Sequence, residues 1–256
     1  MRIEDVRRQL TTPLGAPAYP PARYRFTDRE YLNITYRTDP DAMRAVVPEP
    51  LVVTEPLVRF EVMRMPDTTG LGSFNESGQV LHVEYEGEPA DYLHAMYVDS
   101  LASIASGREI SAYPKKLGAP TLYTDSDTLV GTLDYGSLRV ATATMGYKHR
   151  PLDEADARAE IGRPTFGLKV LPAADRRGHR ILELVRSQVT DMTIKGAWTS
   201  PARLQLFEHV NAPLADLPVL EVVSATHILT DLTLGPTSVA FDYLADEAGH
   251  PDGGAR

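Results

Sequence analysis

A succession of β-strand patterns with few helices between them is the feature of this 256-residue chain that most restricts its fold. Residues 57–65 alternate between the two faces of a predicted strand. Val58 and Phe60 lie on one face, and Glu61 lies on the other. A chain built in this way must bury strand faces against other strands, so its fold is decided by how its sheets are arranged.

Turn and helix signals divide the rest of the chain. Residues 134–137, Asp-Tyr-Gly-Ser, form a hairpin signal between strand patterns at 128–133 and 138–145. Asp39 is a predicted N-cap, followed by Pro40 at the first helical position. The remaining strand patterns are residues 80–85, 168–171, 181–194, 202–207, 220–232 and 238–243. The predicted helices are a short N-terminal one from Ile3 to Leu10 and residues 40–46, 100–108 and 153–161.

These elements indicate an α+β chain that is predominantly antiparallel β. Strands that do not alternate with helices exclude a doubly wound sheet and favour a sandwich or a closed barrel. Residues 1–245 contain no internal repeat and no long linker, so we predict a single domain. Residues 246–256 are rich in glycine and polar side chains, and we expect them to form a disordered tail.

Composition excludes several functions. The chain has no cysteine, so disulfides, thiolate zinc sites and cysteine nucleophiles are impossible. Its net charge of −9 repels a phosphate backbone and no basic patch offsets it, so we predict no nucleic-acid partner. The N-terminus shows neither a signal peptide nor an apolar span, so we predict a cytoplasmic protein with no membrane partner.

The motifs of metal, hydrolase and dinucleotide sites are also absent. The seven histidines form none of the pairs that are typical of a metal site. Neither Ser73 nor Ser137 lies in a nucleophile elbow. The Gly-Leu-Gly sequence at residues 70–72 lacks the third glycine of a dinucleotide fingerprint and predicts a plain turn. We therefore predict that the protein uses no metal and no cofactor.

One motif remains, the adjacent pair Lys115 and Lys116 between Pro114 and Gly118. From the local sequence alone, a solvated dibasic loop is the simpler interpretation. The alternative is a Schiff-base lysine, whose amine attacks a ketone carbon. That chemistry needs a neutral amine, whereas a lysine with the ordinary pKa of about 10.4 is almost fully protonated at pH 7.

Two physical effects favour a neutral amine, and they differ in size. A second ammonium about 8 Å away, at an effective dielectric constant of about 20, costs about 2 kcal/mol, or roughly 1.5 pKa units. Full burial is worth about 3 to 5 units. Adjacent side chains on an extended backbone point to opposite sides. We therefore expect Lys115 to enter an apolar pocket that Lys116 leaves, and burial to matter more than the charge of Lys116.

At these residues the sequence resembles the acetoacetate decarboxylase family. Residues 109–118 are similar to the family's signature around its Schiff-base lysine. The likeness extends collinearly along nearly the whole chain, which makes it specific. The further segments that carry it are residues 29–31, 47–51, 55–61 and 127–136. This family is itself the standard example of a lysine activated by an apolar pocket or a neighbouring cation, so only the ranking of the two causes is our inference.

The resemblance implies a cone-like closed β-barrel subunit in a large homo-oligomer, a dodecamer. It also implies a small-molecule β-keto acid substrate, with acetoacetate and a proton converted to acetone and carbon dioxide. Lys115 matches the imine-forming lysine and Lys116 its perturbing neighbour. The family's polar active-site residues match Arg29, Glu61 and Glu76. Locally, Glu61 could instead pair with Arg59 on one strand face, and Glu76 could be solvated in a loop.

Further expectations concern how the substrate is held. Arg29 is the candidate that attracts the substrate carboxylate, with Glu76 positioning it, because a net acidic protein needs a local cation to bind an anion. Tyr113 and Met96 are the expected apolar lining. Two other functions stay open: a Schiff-base aldolase-dehydratase acting on pyruvate and an aldehyde, and a non-catalytic barrel that binds small apolar ligands.

Overall fold

The structure is a computed structural model that describes residues 1–247. Strands dominate it. The helices are α1 (Ile3–Arg7), α2 (Pro40–Val46), α3 (Leu101–Glu109), α4 (Glu154–Ile161) and α5 (Tyr243–Glu247). The strands are β1 (Arg25–Arg37), β2 (Leu57–Thr68), β3 (Gly72–Tyr85), β4 (Glu88–Val98), β5 (Lys115–Leu117), β6 (Ala119–Asp125), β7 (Thr128–Tyr135), β8 (Leu138–Gly146), β9 (Arg150–Pro151), β10 (Thr165–Pro172), β11 (His179–Ser187), β12 (Val189–Thr199), β13 (Ala202–Leu206), β14 (Glu221–Leu234) and β15 (Ser238–Asp242).

The strands form two sheets. The larger has eleven strands in the order β15-β11-β10-β4-β3-β2-β1-β14-β12-β9, with β5 paired to β4 beside this path. The smaller has four strands in the order β13-β8-β7-β6. All pairings are antiparallel except those of β10 and β5 with β4. The predicted class, α+β and predominantly antiparallel, is confirmed.

The hydrophobic core lies between the two sheets. The alternation predicted for residues 57–65 is present, and it directs Phe60 and Val62 of β2 into this core, where both are buried. Gly131 of β7 brings the small sheet close to β2, because a Cβ atom at this glycine would lie 2.8 Å from Cγ2 of Val62. The face of β2 that carries Glu61 therefore points away from the small sheet.

Most predicted elements are confirmed within a few residues, and the errors have physical reasons. The run predicted as one strand at 181–194 forms two strands. Before Gln188 the chain pairs with β10, and after it the chain pairs with β14. The strand β1 was not predicted, since Arg29 and Glu30 interrupt its apolar pattern. The turn at residues 70–71 is confirmed, but the sequence also missed β4 and β6 and the first half of β3.

Three expectations about the whole chain have different outcomes. Closure into a cone-like barrel is not confirmed, because the strand order within residues 1–247 runs as an open path from β15 to β9. The helix α5 continues to Glu247, two residues into the predicted tail, and residues 248–256 lie outside the described part of the chain. No helix among the described residues is long and apolar enough to cross a membrane.

Candidate active site

The register of four neighbouring strands brings the predicted site residues onto one face of the large sheet. Lys115 of β5 lies opposite Met96 of β4. Met96 lies opposite Gly78 of β3, and Gly78 lies opposite Glu61 of β2. Residues directly opposite each other point to the same face, and so do residues two apart along a strand. Glu76, two residues before Gly78, therefore joins this row.

Gly78 leaves the space at the centre of this row open. A Cβ atom there would lie 3.8 Å from Oε2 of Glu61 and 3.8 Å from Cγ of Met96. The missing side chain allows the side chains on either side to lie over the strand. A larger residue would fill the space in which these groups meet.

A cavity of about 90 Å³ lies over this face. This volume is below that of pockets for drug-sized ligands and suits a much smaller molecule. The residues predicted from the sequence that line it are Arg29, Glu61, Glu76, Met96, Tyr113 and Lys115. The other lining side chains are mostly apolar, namely Phe26, Tyr31, Met63, Met65, Leu93, Ile161, Val189 and Leu234, with Arg59 and Thr165 as the polar exceptions.

The amine of Lys115 is buried and held by two oxygen atoms. The side chain is 8% exposed, and Nζ lies 2.6 Å from Oε2 of Glu76, which is 3% exposed. Nζ also donates a hydrogen bond of 2.9 Å to Oγ of Ser103. The rings of Phe74 and Tyr113 flank the amine, with centroids 5.7 Å and 5.5 Å from Nζ. This is a lysine enclosed by aromatic surface with a carboxylate in direct contact.

Lys116 points away from the cavity, as the extended backbone predicts. Its side chain is exposed, and Nζ donates a hydrogen bond of 2.5 Å to the carbonyl oxygen of Asn211. The same amine lies 4.9 Å from the ring centroid of Tyr135. The expected separation of the two lysines to opposite sides of the strand is therefore present.

Arg29 is held by soft and aromatic groups. Its guanidinium carbon lies 4.9 Å and 4.5 Å from the ring centroids of Phe26 and Tyr31, and Nη2 contacts Sδ of Met63 at 2.8 Å. Its Nε is buried and has no hydrogen-bond partner in the part of the chain that is described. The expected contact with Glu76 is not seen, because Glu76 pairs with Lys115. Arg29 thus has unused donor capacity beside the cavity.

Glu61 belongs to a buried cluster of charges. Arg59, two residues earlier on the same strand face, contacts Oε1 of Glu61 at 2.6 Å and Oδ2 of Asp91 at 2.8 Å. All three side chains are less than 10% exposed. Burial raises the pKa of Glu61, although the adjacent Arg59 acts in the opposite direction. The local pairing with Arg59 and a place on the cavity wall, which were alternatives for Glu61, are therefore both present.

His82 lies behind this cluster. Its Nε2 is 3.5 Å from Nη1 of Arg59 and 4.0 Å from Oδ1 of Asp91. Burial lowers the pKa of His82 to about 4, and the charge of Arg59 lowers it further, against the attraction of Asp91. The imidazole is therefore neutral at pH 7.

Other residues of the site were missed for identifiable reasons. The strand alternation of β2 does carry a signal for Arg59 and Met63, which share a face with Glu61. Ser103 and Asp91 are brought to the site by α3 and β4, whose placement depends on long-range pairing. The local sequence alone favours a loop at Glu76, but this residue lies inside β3. Asn75 and Gly78 have a weak tendency to form a strand, and pairing of β3 with β2 and β4 on either side overrides it.

Comparison with known proteins gives a consistent set of relatives. The model of the acetoacetate decarboxylase (ADC) family matches residues 10–244. A curated acetoacetate decarboxylase of Streptomyces nogalater is 68% identical over 245 residues, covering 96% of this chain and all of that protein. One of Clostridium beijerinckii is 63% identical, covering 96% and 99%. A solved acetoacetate decarboxylase structure has a TM-score of 0.93 at 58% identity, covering 95% of this chain and 100% of the other.

The lowered pKa of His82 predicts a pH dependence of stability. The ordinary pKa of 6.5 applies in the unfolded chain, and the folded value is about 4. Stability is therefore fully present above pH 6.5 and is lost as the pH falls toward 4, because only the unfolded state takes up the proton. Between pH 7 and pH 5 this loss amounts to about 2 kcal/mol.

Urea unfolding at pH 7 and pH 5 measures this loss of unfolding free energy. The variant His82→Gln lacks the imidazole and should therefore lack the part of the loss that His82 causes. The free energy of unfolding of His82→Gln should fall by about 2 kcal/mol less than that of the unmodified protein over this interval. His179→Gln, at an exposed histidine, is the matched control and should keep the full loss. An equal loss in His82→Gln and in the unmodified protein would show that His82 is not held neutral.

Proposed function

The chain belongs to the acetoacetate decarboxylase family, and from that premise we propose that it converts acetoacetate and a proton to acetone and carbon dioxide through an imine on Lys115. The observation that carries this proposal is the contact of 2.6 Å between the buried Lys115 amine and the Glu76 carboxylate, inside a small and mostly apolar cavity. A nucleophilic amine needs a nearby group that can take a proton from it, and Glu76 is such a group.

Imine formation is the first part of the reaction. Glu76 accepts a proton from the Lys115 ammonium, and the neutral amine adds to the ketone carbon of acetoacetate. Glu76 returns its proton to the oxygen of the resulting carbinolamine, and this oxygen leaves as water, which gives a cationic imine between Nζ and the former ketone carbon. The nitrogen now carries a positive charge two bonds from the carbon that bears the carboxylate.

Loss of carbon dioxide follows. The bond between the carboxylate carbon and the neighbouring carbon breaks, and its electron pair moves toward the imine nitrogen. The product is a neutral enamine, and the carboxylate leaves as carbon dioxide. Only interactions that are stronger in the transition state than with the bound substrate help this step, so the apolar lining of Met63, Met65 and Met96 suits the disappearance of the carboxylate charge.

Arg29 is the proposed attractor of the incoming anion. Its guanidinium is fixed by Phe26, Tyr31 and Met63 and makes no ion pair with a described carboxylate, so it can face a substrate carboxylate. The contacts come from aromatic faces and a sulfur atom, which leave its charge largely uncompensated. A guanidinium held in this way attracts the anion into an otherwise acidic protein.

Glu61 is the proposed proton carrier for the last part of the reaction. Its raised pKa makes a protonated form accessible, and it lies on the cavity wall. The enamine carbon takes one proton, which restores a cationic imine, now of acetone. Water then adds to that imine, and acetone is released together with the Lys115 ammonium from which the reaction began. Tyr113 and Met96 complete the lining beside the amine.

The two alternatives are weaker. A Schiff-base aldolase-dehydratase would use the same lysine, but identities of 68% and 63% across nearly the whole chain are to proteins named acetoacetate decarboxylase. A barrel that only binds apolar ligands would not need a buried amine in contact with a carboxylate, since burying both charges is costly. Decarboxylation is the function that accounts for both charges.

The cone-like closed barrel, the dodecamer and the cytoplasmic location are further proposals that rest on family membership.

Replacing Lys115 tests the proposed function most broadly. Lys115→Gln should reduce carbon dioxide release from acetoacetate by about 10³-fold or more, because the only amine among the described residues that line the cavity is lost. Borohydride added with acetoacetate should modify Lys115 in the unmodified protein, and peptide mapping locates the modification. Lys169→Gln, outside the cavity, is the control and should keep full activity. If the unmodified protein releases no carbon dioxide from acetoacetate but condenses pyruvate with an aldehyde, the aldolase-dehydratase is favoured instead.

Replacing Lys116 tests the ranking of burial above charge. Because the Lys116 amine is exposed and bonded to Asn211, Lys116→Gln should leave the midpoint of the acidic limb of the pH–rate profile within about half a pH unit. The measurement is kcat/KM for acetoacetate between pH 4 and pH 9. A midpoint raised by about 3 pH units or more, to near the ordinary lysine value of about 10, would make the charge of Lys116 the larger effect.

A further inference from the structure

Ser103 of α3 contacts the reacting nitrogen and has no part in the steps above. We propose that Ser103 is a catalytic residue that, together with Glu76, orients the lone pair of the neutral Lys115 amine toward the cavity. The proposal rests on the proposed function. It adds a second fixed contact to the nucleophile, provided by a helix that no sequence motif connects with Lys115.

The geometry at the nitrogen carries the proposal. Nζ donates a hydrogen bond of 2.9 Å to Oγ of Ser103. It also lies 2.6 Å from Oε2 of Glu76, in an ion pair whose angles are outside those of a hydrogen bond. A neutral amine has two N–H groups and one lone pair. When one N–H is directed to Ser103 and the other faces Glu76, the lone pair takes the remaining direction on an amine that lines the cavity. Without one acceptor, the amine rotates about the Cε–Nζ bond and its lone pair has no preferred direction.

The helix is shaped to hold the lysine as well as its amine. Gly107 lies four residues after Ser103, on the same helix face. A Cβ atom at Gly107 would lie 2.8 Å from Cδ and 3.0 Å from Cε of Lys115. The glycine therefore allows the stem of the lysine to lie against α3, so that its amine reaches Ser103.

The position of α3 is itself fixed at both ends. The hydroxyl of Ser100 accepts a hydrogen bond from the backbone N–H of Ser103, which caps the first turn. At the last turn, the Glu109 carboxylate accepts hydrogen bonds from Thr11 at 2.9 Å and from Tyr19 at 2.6 Å. Ser103 is completely buried. Its hydroxyl oxygen is thus held in one place before any substrate arrives, as an orienting group requires.

The contact between the Ser103 hydroxyl and the Lys115 nitrogen can also persist after the imine forms. The cationic imine has a single N–H, and the Ser103 oxygen can accept it. Glu76 is then free to move protons while Ser103 keeps the nitrogen in place. A positioning role at the nitrogen and a proton-transfer role at the carboxylate are thereby divided between two residues.

The test is the rate of imine formation in Ser103→Ala. The protein is mixed with acetoacetate, quenched with borohydride after defined times, and the reduced adduct on Lys115 is measured by mass spectrometry. We expect the single-turnover rate to fall by about 3- to 10-fold, since one hydrogen bond to the nucleophile is lost. The KM should stay within about twofold, because the substrate is bound by other groups. Alanine is a strong helix former, so α3 is expected to fold.

Ser106→Ala is the matched control. Ser106 is buried on the same helix, and its hydroxyl contacts the carbonyl oxygen of Ser103 rather than the amine. The Ser106→Ala variant should form the trapped adduct at the same rate as the unmodified protein. Gly107→Ala provides a second, independent variant, and it should slow trapping at least as much as Ser103→Ala by displacing the lysine stem.

The outcomes separate the two levels of the account. If the unmodified protein neither traps an adduct nor releases carbon dioxide, the proposed function is wrong and the role of Ser103 falls with it. Suppose instead that the unmodified protein traps the adduct and releases carbon dioxide. If Ser103→Ala then forms the adduct at a rate within twofold of that of the unmodified protein, only the role of Ser103 is wrong. An equal loss in Ser103→Ala and Ser106→Ala, with lowered melting temperatures in both, would also overturn it, because the effect would then be one of stability.

Discussion

The contact between the Lys115 amine and the Glu76 carboxylate is the interaction on which the rest of this structure depends. Two buried groups of opposite charge, 2.6 Å apart, are costly to remove from water, and their attraction compensates only when the surroundings fix both. The register of the large sheet fixes the two side chains relative to each other, because β5, β4 and β3 place them on one face. The helix α3 holds the lysine on the other side, with Ser103 against the amine and Gly107 against the stem. Together they hold an amine and a carboxylate in direct contact.

The large sheet serves two purposes because both of its faces are buried in this region. One face of β2 packs Phe60 and Val62 against the small sheet and contributes to stability. The opposite face carries Arg59, Glu61 and Met63, which form part of the cavity wall. Arg59 makes this arrangement possible, because it compensates two buried carboxylates at once, Glu61 and Asp91. The charges on this wall of the cavity are therefore already paired, whereas Arg29 has no carboxylate partner among the described residues.

The sequence predicts which side chains meet at this site better than the architecture that places them there. Adjacent lysines are unusual in a chain with five, although the local sequence of Lys115 and Lys116 alone favours a solvated loop. An extended backbone correctly separates their side chains. The alternation of β2 likewise predicts which of its residues share a face. The strand containing Glu76 could not be predicted, because Asn75, Ser77 and Gly78 favour a turn until β2 and β4 pair on either side. Ser103 and Asp91 carry no local signal at all, since their contacts join elements that are distant in the chain. Local alternation thus predicts which side chains share a face, and long-range pairing decides what surrounds them.

The central claim is that the ketone oxygen of the substrate is expelled as water while its carbon is bound to Lys115. Acetoacetate labelled with ¹⁸O at the ketone tests this most directly, with product acetone analysed by mass spectrometry at early times and corrected for exchange without protein. The account predicts that acetone formed by the protein has lost the label, because water supplies its oxygen when the imine is hydrolysed. Acetone that keeps the label would mean that carbon dioxide leaves without an imine, and it would contradict the role assigned to Lys115.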